Sequence, residues 1–199
     1  MQERNLGHSG LRVSAVGIGC NNFGGRIDTR ETGRVIDKAI DLGVTLFDTA
    51  DMYSNRGGSE TAMGEVLKGK RHRIVLASKC GMQMDDAGKL KGASRRYIMS
   101  AVEGSLKRLQ TDYLDLYQVH QVDPLTPIEE TLRTLDDLVR SGKVRYIGLS
   151  NHPAWMVVEA QETARRLNLN AFVSCQDEYS LLIRDADREL MPMMSRYKL

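Results

Sequence analysis

Six short apolar runs, each followed by a segment of helical spacing, constrain the fold of this 199-residue chain more than any other feature. The runs lie at 15–20, 44–47, 74–78, 115–119, 144–149 and 172–175. They are short and β-rich, and the first, Ala15 to Cys20, runs apolar without alternation, as in a strand covered on both faces. Between them the spacing predicts helices over 30–42, from about 59 to 68, from Ser94 to Leu109, from Pro127 to Gly142, over 153–167 and over 185–197. Thr29 is read as the cap of the first and Gly43 as its terminating glycine. Ser94 caps the third, and Pro127 stands at the first position of the fourth, where a missing N–H costs nothing. Strict alternation of strand and helix means a parallel sheet with helical crossovers. Ahead of the first run, Asn5 to Val13 reads as a hairpin turning at His8-Ser9-Gly10.

Two architectures build such a sheet, the doubly wound open sheet and the (β/α)8 TIM barrel. A dinucleotide fingerprint would favour the first, but Gly17-Ile18-Gly19 lacks both the third glycine and a helix directly behind it. Polar residues instead recur at the ends of successive strands, where a barrel carries its chemistry. Asp48 follows Val44 to Phe47, Lys79 follows Ile74 to Ser78, His120 follows Asp115 to Val119, and Tyr53 stands in the loop after Asp48. Val75, Ala77 and Lys79 share one face of their strand; Leu114, Leu116, Gln118 and His120 share one face of theirs. If these strands are adjacent, the four polar residues converge on one rim.

Such a group suits proton transfer. A phenol is a sluggish acid near neutrality, with an ordinary pKa of about 10. A neighbouring ammonium, here Lys79, stabilises the phenolate, and Asp48 is placed to hold Lys79 by an ion pair. His120 can orient a carbonyl or stabilise developing oxyanion charge. A proton donor without a nucleophile points to carbonyl reduction, with hydride supplied from elsewhere. Each residue also has a plainer reading: Asp48 as a turn cap, Tyr53 as a packed loop aromatic, Lys79 as a solvated strand end, His120 as a satisfied polar group. Asn151 fits equally a cap of the fifth helix or a ligand-binding group. Gly57-Gly58-Ser59 lacks a P-loop lysine and reads as a helix start. No spacing suggests metal ligands.

Composition narrows the classes further. With 41% hydrophobic and 27% charged residues and a net charge of +2, the chain gives no electrostatic reason to bind nucleic acid or membrane. Its three cysteines form no CxxC pair, so reduced thiols in the cytoplasm are expected.

The same residues resemble the aldo-keto reductases, NAD(P)H-dependent (β/α)8-barrel enzymes. Leu6 to Ser14 is similar to that family's barrel-plugging hairpin, and Phe47-Asp48-Thr49-Ala50-Asp51-Met52-Tyr53 to its signature. Asp48, Tyr53, Lys79 and His120 match the catalytic tetrad. Ile147-Gly148-Leu149-Ser150-Asn151 and Gln176 resemble the segments that bind the nicotinamide carboxamide, and Cys20 and Asn21 stand where the family touches its cofactor. The resemblance implies reduction of a small aldehyde or ketone by NADPH, with NADH possible as donor and Tyr53 giving the proton. A non-catalytic subunit like the potassium-channel β subunits is the alternative, and an inactive fragment the third. Gly81 replaces an aromatic that many small-molecule reductases carry two places after the lysine, so that pocket wall should be different or absent. A barrel of this class takes about 250 residues. Residues 1–199 are therefore expected to form a single domain with about six of the eight units, truncated at the C-terminal side, its first and sixth strands left as raw edges.

Overall fold

The structure is a computed structural model covering residues 1–199. Strands β1 (Glu3–Asn5) and β2 (Arg12–Ser14) pair antiparallel as the expected hairpin, with Arg4 opposite Val13. Ser9 closes the turn, donating to the Leu6 carbonyl at 2.6 Å and accepting from Leu11 N–H at 3.1 Å.

Six further strands form one parallel sheet: β3 (Gly17–Gly19), β4 (Leu46–Asp48), β5 (Val75–Cys80), β6 (Leu114–Val119), β7 (Val144–Ser150) and β8 (Ser174–Gln176). Each pairs with the next in chain order, β3-β4-β5-β6-β7-β8. A doubly wound sheet reverses its order at a switch point; this one never does, so every crossover steps the same way around an incomplete barrel. The crossovers are helices α1 (Thr29–Asp41), α2 (Tyr53–Val66), α3 (Arg95–Leu109), α4 (Ile128–Arg140) and α5 (Ala154–Leu167), and α6 (Leu190–Tyr197) follows β8. None is long and apolar enough to cross a membrane.

The core lies between sheet and helices. Phe47, Leu76, Tyr117, Ile147 and Leu149 face outward from the sheet onto Ile36, Met63, Ile98, Leu132, Leu135 and Val157 of the helices. The opposite face, carrying Leu46, Asp48, Ala77, Leu116, Gln118 and Gln176, lines an inner cavity of about 310 Å³. The hairpin closes the far end of that cavity. Leu6 joins its lining, and Ser14 exchanges hydrogen bonds with Thr45 at the entrance to β4, 2.9 Å in each direction.

Several boundaries differ from expectation for local reasons. The first strand is not buried on both faces: β3 is three residues long, its glycines exposed and Ile18 half-buried. It is the sheet edge, paired only with β4, and glycines contribute no side chain to cover. Asp28, not Thr29, caps α1, its carboxylate accepting from Glu31 N–H at 2.8 Å. That helix ends in a Schellman turn, with Gly43 at φ +78° and Val44 N–H reaching the Ala39 carbonyl. Pro127 is the cap residue of α4 and not its first turn, and Pro153 takes the same place in α5. The segment read as one helix over 185–197 is a 3-10 turn at Asp185–Asp187 followed by α6.

Candidate active site

The parallel register puts the polar strand ends side by side. β4 terminates in Asp48, Lys79 is the penultimate residue of β5, and His120 follows β6 directly. Two backbone bonds carry the β4–β5 pairing into the loop: Thr49 N–H reaches the Ala77 carbonyl and Asp51 N–H the Lys79 carbonyl. The chain after Asp48 is thereby steered across the top of Lys79, and Tyr53 is delivered at the start of α2.

Lys79 is 1% exposed, and its ammonium is committed to three oxygens. It lies 2.6 Å from Asp48 Oδ2, 3.2 Å from the Thr49 carbonyl and 3.4 Å from the Tyr53 hydroxyl. The His120 ring stands edge-on to Tyr53, centroids 5.6 Å apart. All four expected residues therefore meet. Burial, and then the Lys79 charge, push the His120 pKa down to about 4, so the imidazole is neutral near pH 7. Its Nδ1 is buried without a partner.

Tyr53 is followed by an unusual backbone. Ser54, Asn55 and Arg56 all adopt left-handed dihedrals, φ 53°, 60° and 63°, and regular helix begins only after Gly57. Such a run disfavours L-residues by about 1–2 kcal/mol each. It is pinned from outside: the Ser54 hydroxyl donates to the Asn21 carbonyl at 3.1 Å, and Arg56 pairs with Asp86. The Gly57-Gly58-Ser59 stretch is indeed a helix entry, and the Ser59 hydroxyl is spent on the Cys20 carbonyl.

The remaining expected residues are arranged around the same rim. Asn151, at φ +56°, does not cap α5; its amide donates to the His120 carbonyl at 2.9 Å and to Ser150 Oγ at 3.0 Å. Gln176 is exposed at the end of β8 and donates to Asp48 Oδ2 at 3.1 Å. Asn21 is exposed beside Ser54. Cys20 is placed differently: its side chain is fully buried in the helix-facing core, with the thiol on the Ile18 carbonyl, and burial raises its pKa. Only its backbone borders the site, where Cys20 N–H donates to the Asp48 carbonyl.

The model of the Aldo/keto reductase family matches residues 15–198. The chain belongs to the aldo/keto reductase family. It is 40% identical to an "Uncharacterized oxidoreductase YrpG" of Bacillus subtilis, over 96% of this chain and 62% of that protein. It is 38% identical to a "Versiconal hemiacetal acetate reductase" of Aspergillus parasiticus, over 96% of this chain and 63% of the relative. It is 37% identical to a "Probable voltage-gated potassium channel subunit beta" of Oryza sativa subsp. japonica, over 100% of this chain and 62% of the relative. The chain thus spans about three fifths of the length of the curated relatives it matches.

Behind the tetrad of this aldo/keto reductase chain lies a buried polar layer that sequence reading passed over. Glu60 of α2, fully buried, accepts from Ser78 Oγ at 2.5 Å and from Arg108 Nε at 2.7 Å. Asp51, 1% exposed, accepts from the Tyr97 hydroxyl at 3.3 Å, while its Oδ1 has no partner. Burial, and then the Glu60 charge, raise the Asp51 pKa to about 7. Asp51 lay inside the signature, but nothing in its spacing distinguished a buried acid from a loop polar group. Glu60 and Arg108 read simply as charges on helices.

The Asp51 shift has a measurable sign. An acid whose folded pKa lies above its unfolded value holds its proton longer in the native state, so its contribution is present at low pH and lost as pH rises through the folded pKa. Between about pH 4 and 7, wild type should lose up to about 1.4 kcal/mol per pH unit that Asp51→Asn retains. Urea unfolding of both proteins across that window measures the difference, and parallel pH dependences would refute it.

Proposed function

We propose that this chain carries the catalytic half of an NADPH-dependent reductase acting on small aldehydes or ketones, with Tyr53 as proton donor. The carrying observation is the chain of contacts from Asp48 through Lys79 to the Tyr53 hydroxyl, at 2.6 and 3.4 Å. Residues 1–199 are taken as one domain, an incomplete barrel. A cytoplasmic setting follows the expectation of reduced thiols.

The rim chemistry fits a nicotinamide carboxamide. Asn151 and Gln176 stand exposed at the ends of adjacent strands, Ser150 is in register with Gln176 and accepts from Asn151 through its hydroxyl, and the Asn151 amide oxygen accepts nothing within the chain. These three side chains would hold the carboxamide, with Asn21 as a further contact. A bound reduced nicotinamide supplies the hydride. The family resemblance favours NADPH, with NADH as the alternative.

The protein's part is the proton. The Tyr53 hydroxyl donates to the carbonyl oxygen as negative charge develops there. The Lys79 ammonium stabilises the phenolate left behind, and Asp48 fixes Lys79 in a pocket that excludes water from its charge. Neutral His120, edge-on to Tyr53, orients the substrate oxygen without competing as an acid.

The likeness to a potassium-channel β subunit favours a second reading, a cofactor-binding regulatory subunit with little turnover. Titrating the protein with NADPH and then following NADPH oxidation over a panel of aliphatic and aromatic aldehydes separates the two. Aldehyde-dependent oxidation is expected. Binding without oxidation would favour the regulatory reading, and absence of binding would leave an inactive fragment.

A further inference from the structure

Gln118 sits on the inward face of β6, in register with Lys79 of β5 on one side and Gly148 of β7 on the other. Only 2% of it is exposed, and a primary amide in a barrel interior must find partners. Its Nε2 has two hydrogens and both are placed: Asp48 Oδ1 lies at 3.3 Å and Gln176 Oε1 at 3.1 Å. Gln176 Nε2 in turn donates to Asp48 Oδ2 at 3.1 Å, closing a three-residue ring. A carboxylate only accepts, so both amides must turn nitrogen toward Asp48, and in this placement the remaining Gln118 hydrogen meets the Gln176 oxygen.

The neighbouring strand is cut to admit this side chain. A Cβ on Gly148 would lie 3.1 Å from Gln118 Cγ, 3.2 Å from its Oε1 and 2.6 Å from Ser174 Oγ. Glycine here leaves Gln118 and Ser174 in their places without displacement, a matter of space and not of backbone, since Gly148 is not among the residues with positive φ.

We infer that Gln118 is a positioning residue that sets, from the floor of the site, both the plane of the Asp48 carboxylate and the orientation of the Gln176 amide. Asp48 Oδ2 receives Lys79; with Oδ1 held by Gln118, the carboxylate cannot rotate away from the ammonium. Gln176, with its oxygen held by Gln118, keeps one N–H and one lone pair of fixed identity for whatever meets the rim. On the reading of that rim as a nicotinamide site, which this inference rests on, Gln118 links the cofactor-facing glutamine to the carboxylate that supports proton donation.

A residue that merely filled space would be replaced by leucine without consequence to either neighbour. Gln118→Leu is therefore compared with wild type by side-chain amide hydrogen exchange of Gln176, by NADPH affinity and by aldehyde turnover. We expect Gln176 exchange to accelerate about tenfold and NADPH binding to weaken by roughly three- to tenfold, the range for one hydrogen bond. Gln118→Glu supplies a readout that filling cannot move. Its carboxylate opposes Asp48 at high pH, and its acid form regains a donor, so turnover should recover as pH falls. Gln118→Asn, which keeps the amide but withdraws it, gives the same exchange measurement should the leucine variant not fold. Unchanged Gln176 exchange in both the leucine and asparagine variants would overturn the inference. Wild type without carbonyl reduction would instead sink the functional reading, and the exchange measurement would still decide the role of Gln118.

Discussion

Tyr53→Phe should lower turnover of an aldehyde substrate by about 10²–10⁴-fold, the range for a positioned general acid. NADPH affinity should stay within about twofold of wild type, because the change removes one oxygen from the substrate side of the site and none from the Ser150, Asn151 and Gln176 rim. In activation terms the loss is about 3–5 kcal/mol. The ring itself should hold its place. Phenylalanine keeps the edge-on packing against His120 at 5.6 Å and the placement of the Lys79 ammonium 5.1 Å from the ring centroid. Only the hydroxyl, 3.4 Å from Lys79 Nζ, disappears. The pH profile adds a second constraint. His120 is pushed down to about 4, so its charge change falls outside the range between about pH 5 and 8. His120→Gln should then lower the rate without altering the shape of the profile in that range. A phenylalanine variant with wild-type turnover would remove Tyr53 from the chemistry, and a profile reshaped by His120→Gln would mean that the imidazole ionises during turnover.

The tetrad was legible because it is written at strand ends. Once alternation of strand and helix implies a parallel sheet, Asp48, Lys79 and His120 are forced to one rim by register alone, and Tyr53 follows within five residues of Asp48. The hairpin was legible from its turn residues and Gly43 from its place after an apolar stripe. The misreadings share a cause. The burial of the first strand depends on what lies beyond an edge, and a run of residues does not record its own neighbours. Whether Asp28 or Thr29 caps α1, or Pro127 stands at the cap or the first turn, turns on one residue of phase that periodicity does not resolve. Cys20 stands at the rim by family resemblance alone, and only its backbone borders the site; the alternation that turns its thiol into the core is masked by two glycines in β3.

The buried layer behind the site was the least legible part, since an acid and a base 48 residues apart leave no local trace. Yet it governs a large share of the stability expected here. Arg108→Met should destabilise the protein by about 3–5 kcal/mol, the usual cost of stripping the partner from a buried charge. For a chain of this size that is a fall in melting temperature of roughly 6–20 °C. Glu60 is fully buried and Arg108 only partly exposed, so the pair cannot be treated as a surface salt bridge. Without the guanidinium, the Glu60 carboxylate keeps one hydrogen bond, from Ser78, and faces Asp51, whose own pKa it already raises. The fold has also made room for this arginine. A Cβ on Gly57 would lie 2.5 Å from Arg108 Cδ, and one on Gly104 would lie 3.1 Å from its Nη1. If the cost is a stranded charge and not lost packing, Glu60→Gln in the Arg108→Met background should restore more than half of the stability, a coupling that a double-mutant cycle in urea measures directly. If the double variant is as unstable as the single, packing is the larger part. The location gives the pair a consequence for chemistry as well. Ser78, which Glu60 holds, precedes Lys79 in β5, and Asp51, which Glu60 influences, is tied by its N–H to the Lys79 carbonyl. Loosening the pair therefore releases the two residues that hold the Lys79 backbone, and Arg108→Met should lower turnover even below its melting transition, where Tyr53 and Asp48 are chemically intact.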